Sequence, residues 1–380
     1  MTNIYYLTRS YLPMKTGGAL ARAGIVKILK ASGFNVSVIT PGYGKKTPEI
    51  KNEVTYIPLS YNTKFAHLLE MLGLWEDYLD KWVEVAFRYL EGKIKSADLL
   101  LATSGGELGC IKLGSLLKEK SGAKLVIDLQ DPIDYTLVQG RRIDNRFHVS
   151  REKCEEKYLK NADLVVVSST VNRDSLKEKY PFLSNKIFSY YYGYINKINQ
   201  LPNKKSSDKL RIVYGGSFSE VQQPEILAEV AVYLDEVEIY FLGNYESYKP
   251  IRKFWKQFHF LPTMPLVEYQ KFVTENIDAG FVSLANEYLG ACVPAKLYEY
   301  INLGIPILGA LPEGDARDII NKYGYGIAVD IRDRNGLRKA IEDLKNFELY
   351  KKFRDNILRD RDSWAMEERI KEFIKWLKNL

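Results

Sequence analysis

A chain of 380 residues exceeds one ordinary core, and at roughly 100–200 residues per domain it predicts two. Its 46% hydrophobic, 27% charged and 13% aromatic content excludes a disordered, collagen-like or coiled-coil protein. The net charge of +7 belongs to one half: residues 1–200 carry 29 Lys and Arg against 21 Asp and Glu, and residues 201–380 carry 26 against 27.

The first element is a strand, Asn3–Thr8, followed by Arg9 with no apolar leader region, which argues against secretion. Buried-strand patterns recur at Asn35–Thr40, Asp98–Thr103, Lys124–Asp128 and Asp163–Ser168. Near-continuous apolar strands suit a parallel sheet covered on both faces. Helical patterns lie between them, at Gly18–Ala31, Phe65–Lys95, Glu107–Lys120, Arg151–Lys160 and Val171–Lys179. Leu201–Leu210 is polar, holds Pro202 and has no period, so it reads as a linker.

The alternation then restarts. Strands are expected at Arg211–Tyr214, Glu238–Leu242, Ala279–Ser283, Ile305–Leu308 and Ile327–Val329. Helices are expected at Gln223–Asp235, Leu266–Glu275, Ala295–Leu303, Asp315–Lys322 and Asn335–Lys345. The reading is an α/β protein of two Rossmann-like, doubly wound domains facing one another, residues 1–200 and 201–362. An amphipathic helix over 363–380 is expected to pack back on the first domain.

The longest uncharged runs, Ala31–Gly44 and Tyr300–Pro312, fall short of the roughly 20 apolar residues of a membrane span. Cys110, Cys154 and Cys292 are too few and too scattered for a disulfide framework or a zinc site, and they fit a reducing cytoplasm.

Three strand-to-helix turns carry paired glycines: Gly17–Gly18, Gly105–Gly106 and Gly215–Gly216. Such turns let the backbone approach a ligand, and the helix N-terminus that follows attracts an anion. Paired glycines also suit a tight connection in an α/β fold, which is the plainer reading of each turn. No GxGxxG follows the first strand and no GxxxxGK occurs, so neither a nicotinamide or flavin cofactor nor a P-loop is supported.

The densest constellation is Cys292–Leu308. Pro294 suits a helix start, while Gly304 and Pro306 suit its end. Lys296 lies in the first turn and Glu299 is three residues on, on the same face. A helix N-terminus with a Lys holds a diphosphate, and a Glu one turn deeper takes both hydroxyls of a ribose. A surface Lys–Glu ion pair satisfies the same spacing.

The run Pro294–Pro306 resembles the donor-binding signature of glycosyltransferase family 4, retaining enzymes of the GT-B fold. In that family a Glu on this helix binds the donor ribose, and Glu299 takes its place. The second Glu of many members falls at Ala291, and the subgroup acting in surface-polysaccharide assembly often lacks it. Further segments resemble the family in order: Thr16–Gly24, Val126–Pro132, Ala162–Ser169, Gly215–Gln223 and Gly314–Ile320.

The resemblance implies donor-binding roles for Gly216, Ser217, Gln222, Lys296, Leu297 and Glu299, with Ser217 standing where many members have Arg. It implies a cleft loop at Gly17, Gly18 and Gly105 on the acceptor side. Lys296 and Asp131 are the expected catalytic positions, Lys296 on the leaving diphosphate and Asp131 beside the acceptor.

No cofactor and no metal are expected. The one Asp-x-Asp match, Asp360-Arg361-Asp362, is remote from these loops and reads as a helix-cap charge cluster. The expected function is transfer of a sugar from a nucleotide diphosphate sugar to a growing polysaccharide or lipid-linked oligosaccharide. A nucleotide-sugar 2-epimerase, or a non-catalytic nucleotide-sugar-binding subunit, is the alternative. The basic first half and the apolar stretch Asn62–Lys95, with Trp75 and Trp82, fit an anionic membrane surface or two core-facing helices. No basic motif with interleaved aromatics supports nucleic-acid binding. The protein is therefore expected to be cytoplasmic and peripheral on the inner membrane face.

Overall fold

The computed structural model describes residues 2–14, 16–133, 137–138, 141–142, 145–199, 201 and 209–380, and for 137–138, 141–142 and 145–150 the backbone alone. The polar linker expected at 201–210 falls mostly outside the described residues. The chain forms two compact units, Met1–Tyr192 with Ile370–Leu380, and Gly193–Arg369. Among the described residues no helix is long and apolar enough to cross a membrane.

The first unit is built on strands β1 (Asn3–Leu7), β2 (Asn35–Tyr43), β3 (Glu49–Lys51), β4 (Val54–Leu59), β5 (Leu99–Gly105), β6 (Lys124–Asp131), β7 (Leu164–Val167) and β8 (Ile187–Ser189). They form one eight-stranded sheet in the order β8-β7-β6-β5-β1-β2-β4-β3. All pairs are parallel except β3, which runs antiparallel to β4 with Glu49 opposite Tyr56. The all-apolar strands expected from sequence are central: residues 99–102 and 164–167 are fully or almost fully buried. The edge strands β3 and β8 were not legible, because three-residue strands carry no measurable period, and the six-residue β4 was missed with them.

Helices α1 (Gly17–Ala31), α2 (Thr63–Met71), α3 (Asp80–Leu90), α4 (Gly109–Ser121), α5 (Asn145–Asn161) and α6 (Thr170–Lys179) belong to this unit. The single helical stretch expected over Phe65–Lys95 is two helices. Gly73, at φ +67°, ends the first in a left-handed turn that L side chains avoid.

The second unit carries β9 (Leu210–Gly215), β10 (Val237–Leu242), β11 (His259–Leu261), β12 (Ala279–Ser283), β13 (Ile307–Ala310) and β14 (Gly326–Val329). The sheet is wholly parallel, in the order β11-β10-β9-β12-β13-β14. That is the doubly wound order, with its switch point between β9 and β12. Helices α7 (Glu225–Ala231), α8 (Leu266–Asn276), α9 (Ala295–Leu303), α10 (Asp315–Lys322), α11 (Arg334–Leu344) and α12 (Phe347–Asp360) surround it.

The amphipathic tail is not one helix. Trp364 sits in a short 3-10 turn, buried against Tyr298, Tyr323 and Tyr325 of the second unit. The helix Lys371–Lys378 belongs to the first unit, where Phe373 stacks on Tyr190 at 5.3 Å and Trp376 on Phe188 at 4.5 Å.

Candidate functional site

In open α/β sheets ligands bind beyond the carboxyl ends of the strands at the switch point. In the second unit that is the region after Gly215 and Ser283, and α9 starts there. Two aromatic rings set the position of the helices. Tyr300 of α9 packs flat on Gly280, where a Cβ would fall 2.4 Å from the ring. Its hydroxyl reaches the carbonyls of Val213 and Phe281, each at 3.3 Å. Tyr269 of α8 covers Gly215 in the same way, with a Cβ there 2.8 Å from the ring. Helix α9 spans Ala295–Leu303 as the sequence predicts, with Gly304 left-handed at its end. Pro294 is its N-cap rather than its first residue, and it offers the first-turn amides no side-chain acceptor.

Lys296 and Glu299 do not pair. The Lys296 ammonium is shielded from solvent and has no hydrogen-bond partner. It rests over the Tyr214 ring, 3.8 Å from the centroid, and 3.4 Å from where a Cβ of Gly216 would lie. Gly216 has φ +137°, so glycine serves there for both conformation and space. Burial pushes the Lys296 pKa down to about 7. The Glu299 carboxylate turns instead to α8 and accepts from Gln270 Nε2 at 2.8 Å. Burial pushes it up to about 7, against the hydrogen bonds of Gln270 and Asn302 and the charge of Arg361. A buried cation without a counter-ion costs several kcal/mol, of which a cation–π contact returns roughly 0.5–2. The arrangement is therefore suited to an anion beside the Lys296 ammonium, with a carboxylate one turn away as acceptor for hydroxyls.

Other residues expected at this site are otherwise engaged. The Gly216 amide donates to Leu242 O at 2.9 Å, so it is a ladder donor and not free for a phosphate. Leu297 is fully buried and its amide donates to Pro294 O at 2.9 Å, which makes it a packing residue. Gln222 accepts from the Ser219 hydroxyl, and its carbonyl accepts from Ser283. Ser217 is exposed, and its carbonyl accepts from the Tyr214 hydroxyl.

The first unit has its own switch point, between β1 and β5. Thr16 caps α1 and accepts from the Ala19 amide at 3.3 Å, leaving Gly17 and Gly18 exposed in the first turn. Asp131 lies opposite Gly105 in the β5–β6 register. The open side of Gly105 is ringed by charge: a Cβ there would be 3.4 Å from Arg22 Nη2, 3.5 Å from Asp131 Oδ2 and 3.5 Å from Glu107 Oε2.

Glu107 is buried, accepts from the Gly105 amide at 2.9 Å, and pairs with Arg9 at 3.0 Å and Arg22 at 4.0 Å. Behind them Asp128 is fully buried and accepts from the Tyr192 hydroxyl at 2.6 Å; burial pushes its pKa up to about 6. Sequence reading missed Arg22 and Glu107. The available signal was an Arg on the apolar stripe of α1, which also carries Ile25, Val26 and Leu29.

The basic charge of the first half is partly paired within the unit. Of the basic residues before position 50, Arg9 and Arg22 face Glu107, Lys30 pairs with Glu53 and Lys45 with Glu49. Asp360 bonds Arg359 and Tyr325, while Asp362 pairs with Lys197, so the Asp-x-Asp carboxylates point to different partners. Among the described residues no three His, Cys, Asp or Glu side chains cluster as metal ligands.

No family model and no curated protein matches the chain. Solved structures match it along its whole length. Anabaena HepE, in complex with UDP and glucose, superposes with a TM-score of 0.71 at 13% identity over 100% of both chains. WaaG, a glycosyltransferase involved in lipopolysaccharide biosynthesis, gives 0.70 at 12% over 99% of this chain and 100% of its own. The lipopolysaccharide outer core galactosyltransferase WaaB gives 0.66 at 12% over 100% of both. The family-4 resemblance of the motifs is consistent with these likenesses, and the chain has the GT-B fold that they share, two Rossmann-like units each doubly wound around a mainly parallel sheet.

Proposed function

We propose that the protein is a retaining glycosyltransferase that moves a sugar from a nucleotide diphosphate sugar to a polysaccharide or lipid-linked oligosaccharide acceptor. The observation that carries this reading is the Lys296 ammonium, buried without a counter-ion at the switch point beside an N-terminus that no side chain caps. A diphosphate supplies the missing negative charge. Glu299 then accepts from the ribose hydroxyls in place of Gln270. HepE binds UDP and UDP-glucose, and WaaB is a galactosyltransferase, which supports a nucleotide sugar as donor.

In the reaction the acceptor hydroxyl oxygen bonds to the anomeric carbon as the bond to the β-phosphate oxygen breaks. The acceptor proton passes to the leaving phosphate. Lys296 stabilises the negative charge that develops on the diphosphate, the part a divalent cation plays elsewhere. The crevice of Gly17, Gly18, Gly105 and Asp131 takes the acceptor. Its charges are balanced internally, which suits neutral sugar hydroxyls.

The test is a thermal-shift screen of UDP, GDP, CMP and TDP. A nucleotide present at 100 times its Kd stabilises the fold by about 2.7 kcal/mol, a clear rise in Tm. No shift with any of the four would refute the donor site.

A further inference from the structure

The sheet of the first unit ends on β8, and a cleft of about 460 Å³ opens along that edge. The Val165 amide donates to Lys186 O at 2.7 Å, and the Tyr190 amide donates to Val167 O at 3.1 Å. Ile187 stands opposite Val165, and Ser189 opposite Val167. In a parallel ladder of that register the backbone groups of Lys186, Phe188 and Tyr190 are turned to β7. Those of Ile187 and Ser189 are turned to the open edge, a row of donors and acceptors without a neighbouring strand.

Successive side chains of a strand point to opposite faces, so the cleft has two different walls. On the Ser189 face lies α6, which presents Arg173 and Lys177 one turn apart. Arg173 is fixed there: it donates to both Asp174 oxygens at 2.7 and 2.9 Å and to the Ser189 hydroxyl at 3.2 Å. On the Phe188 face lies the half-buried Trp376, stacked on Phe188 at 4.5 Å. Asn185 adds a side-chain amide to the lining. Among the described residues two cations and no acid line the cleft. Asp174, beside it, offsets Arg173, and the Lys177 charge remains in excess.

We propose that this cleft is a second carbohydrate site, for a sugar ring that bears a phosphate or a carboxylate. The anionic group meets Lys177 and Arg173. The ring hydroxyls, which both donate and accept, meet the edge backbone of Ile187 and Ser189 and the Asn185 amide. The apolar face of the ring covers the Trp376 indole. The volume falls in the range of roughly 300–1,000 Å³ that small-ligand sites occupy. An open edge also recruits extended peptides, but β8 turns only Ile187 and Ser189 outward, too short a template for a strand. The cleft shares no residue with the donor site or the acceptor crevice, so either assignment can fail without the other. A free sugar phosphate and one unit of an acidic glycan present the same chemistry here.

The experiment is calorimetric titration of the full chain with glucose 6-phosphate and with trigalacturonate, which separates the two sources. Maltotriose, inorganic phosphate and triglutamate are the controls. At least one acidic saccharide should bind about tenfold more tightly than every control, the factor that one charge-assisted hydrogen bond supplies. Lys177→Glu should weaken it by about tenfold or more and leave the nucleotide-induced Tm shift as in wild type, while Lys177→Arg should keep the affinity. Binding of neither saccharide would overturn the proposal, as would equal affinity in wild type and Lys177→Glu, since the ligand would then sit elsewhere. So would triglutamate that binds as tightly as trigalacturonate, or inorganic phosphate as tightly as glucose 6-phosphate, because the sugar ring would then contribute nothing.

Discussion

The two units place a buried cation at the same topological point and treat it in opposite ways. In the first, Arg22 is 2% exposed and faces Glu107, with Arg9 completing a triad. In the second, the Lys296 ammonium has an aromatic ring below it and no acceptor. One fold thus carries a crevice whose charge is closed and a crevice whose charge is open. The open one requires an anion to complete it; the closed one suits an uncharged, hydroxyl-rich partner. On the proposed reading, the open crevice takes the phosphate and the closed one the sugar.

The largest expected effect tests the closed crevice. Glu107→Ala leaves the buried Arg22 guanidinium and the partly exposed Arg9 without their carboxylate and should cost about 3 kcal/mol of stability. Urea unfolding would measure it. The nucleotide-induced Tm shift should survive, since Lys296 is untouched; its loss would show that the two crevices are not independent.

Glu299→Ala comes next. Loss of charge-assisted hydrogen bonds, each roughly 1.5–3 kcal/mol, should lower nucleotide affinity at least tenfold while the fold is kept. Calorimetry with unchanged affinity would remove Glu299 from the site. Gly105→Ala is a smaller change, placing a methyl at ordinary contact distance from Arg22, Asp131 and Glu107. It should raise the acceptor KM several-fold and leave nucleotide binding alone.

The pH dependence follows from two groups that both titrate near 7. In the free protein, stability tied to Lys296 is present above pH 10.5 and lost as pH falls through about 7. Stability tied to Glu299 is present below pH 4.5 and lost as pH rises through about 7. Nucleotide binding needs the protonated lysine and the ionised glutamate. Affinity should therefore be bell-shaped with its maximum near neutrality, with proton uptake at pH 8 and release at pH 6. Calorimetry in buffers of different ionisation enthalpy measures both signs. A monotonic profile would contradict the pair. Excess EDTA should change neither binding nor turnover, because Lys296 supplies the positive charge.

Much of this comparison was legible in the sequence, and the reasons for the rest are physical. Strand–helix alternation gave both parallel sheets, and Pro294 with Gly304 bounded α9 because those residues have strict backbone demands. Lys296 and Glu299 stood out by their spacing. That they do not pair depends on Tyr214 and Gln270, 82 and 29 residues away in the chain, which no local pattern contains. Gly216 read as a phosphate amide, yet the β10 ladder already takes it. Arg22 belongs to no local motif, and only its place on the buried stripe of α1 sets it apart. Helix α12 escaped notice because only Lys345 and Asn346, the two caps, separate it from α11.

The central claim is that Lys296 is held in reserve for a phosphate. The direct measurement is the Tm of wild type and Lys296→Met, each alone and with the nucleotide that shifts the wild type. Methionine keeps most of the length and removes a buried charge, so the free variant should melt at or above the wild-type temperature while its nucleotide shift disappears. A variant that melts lower when free and retains the wild-type shift would contradict the account.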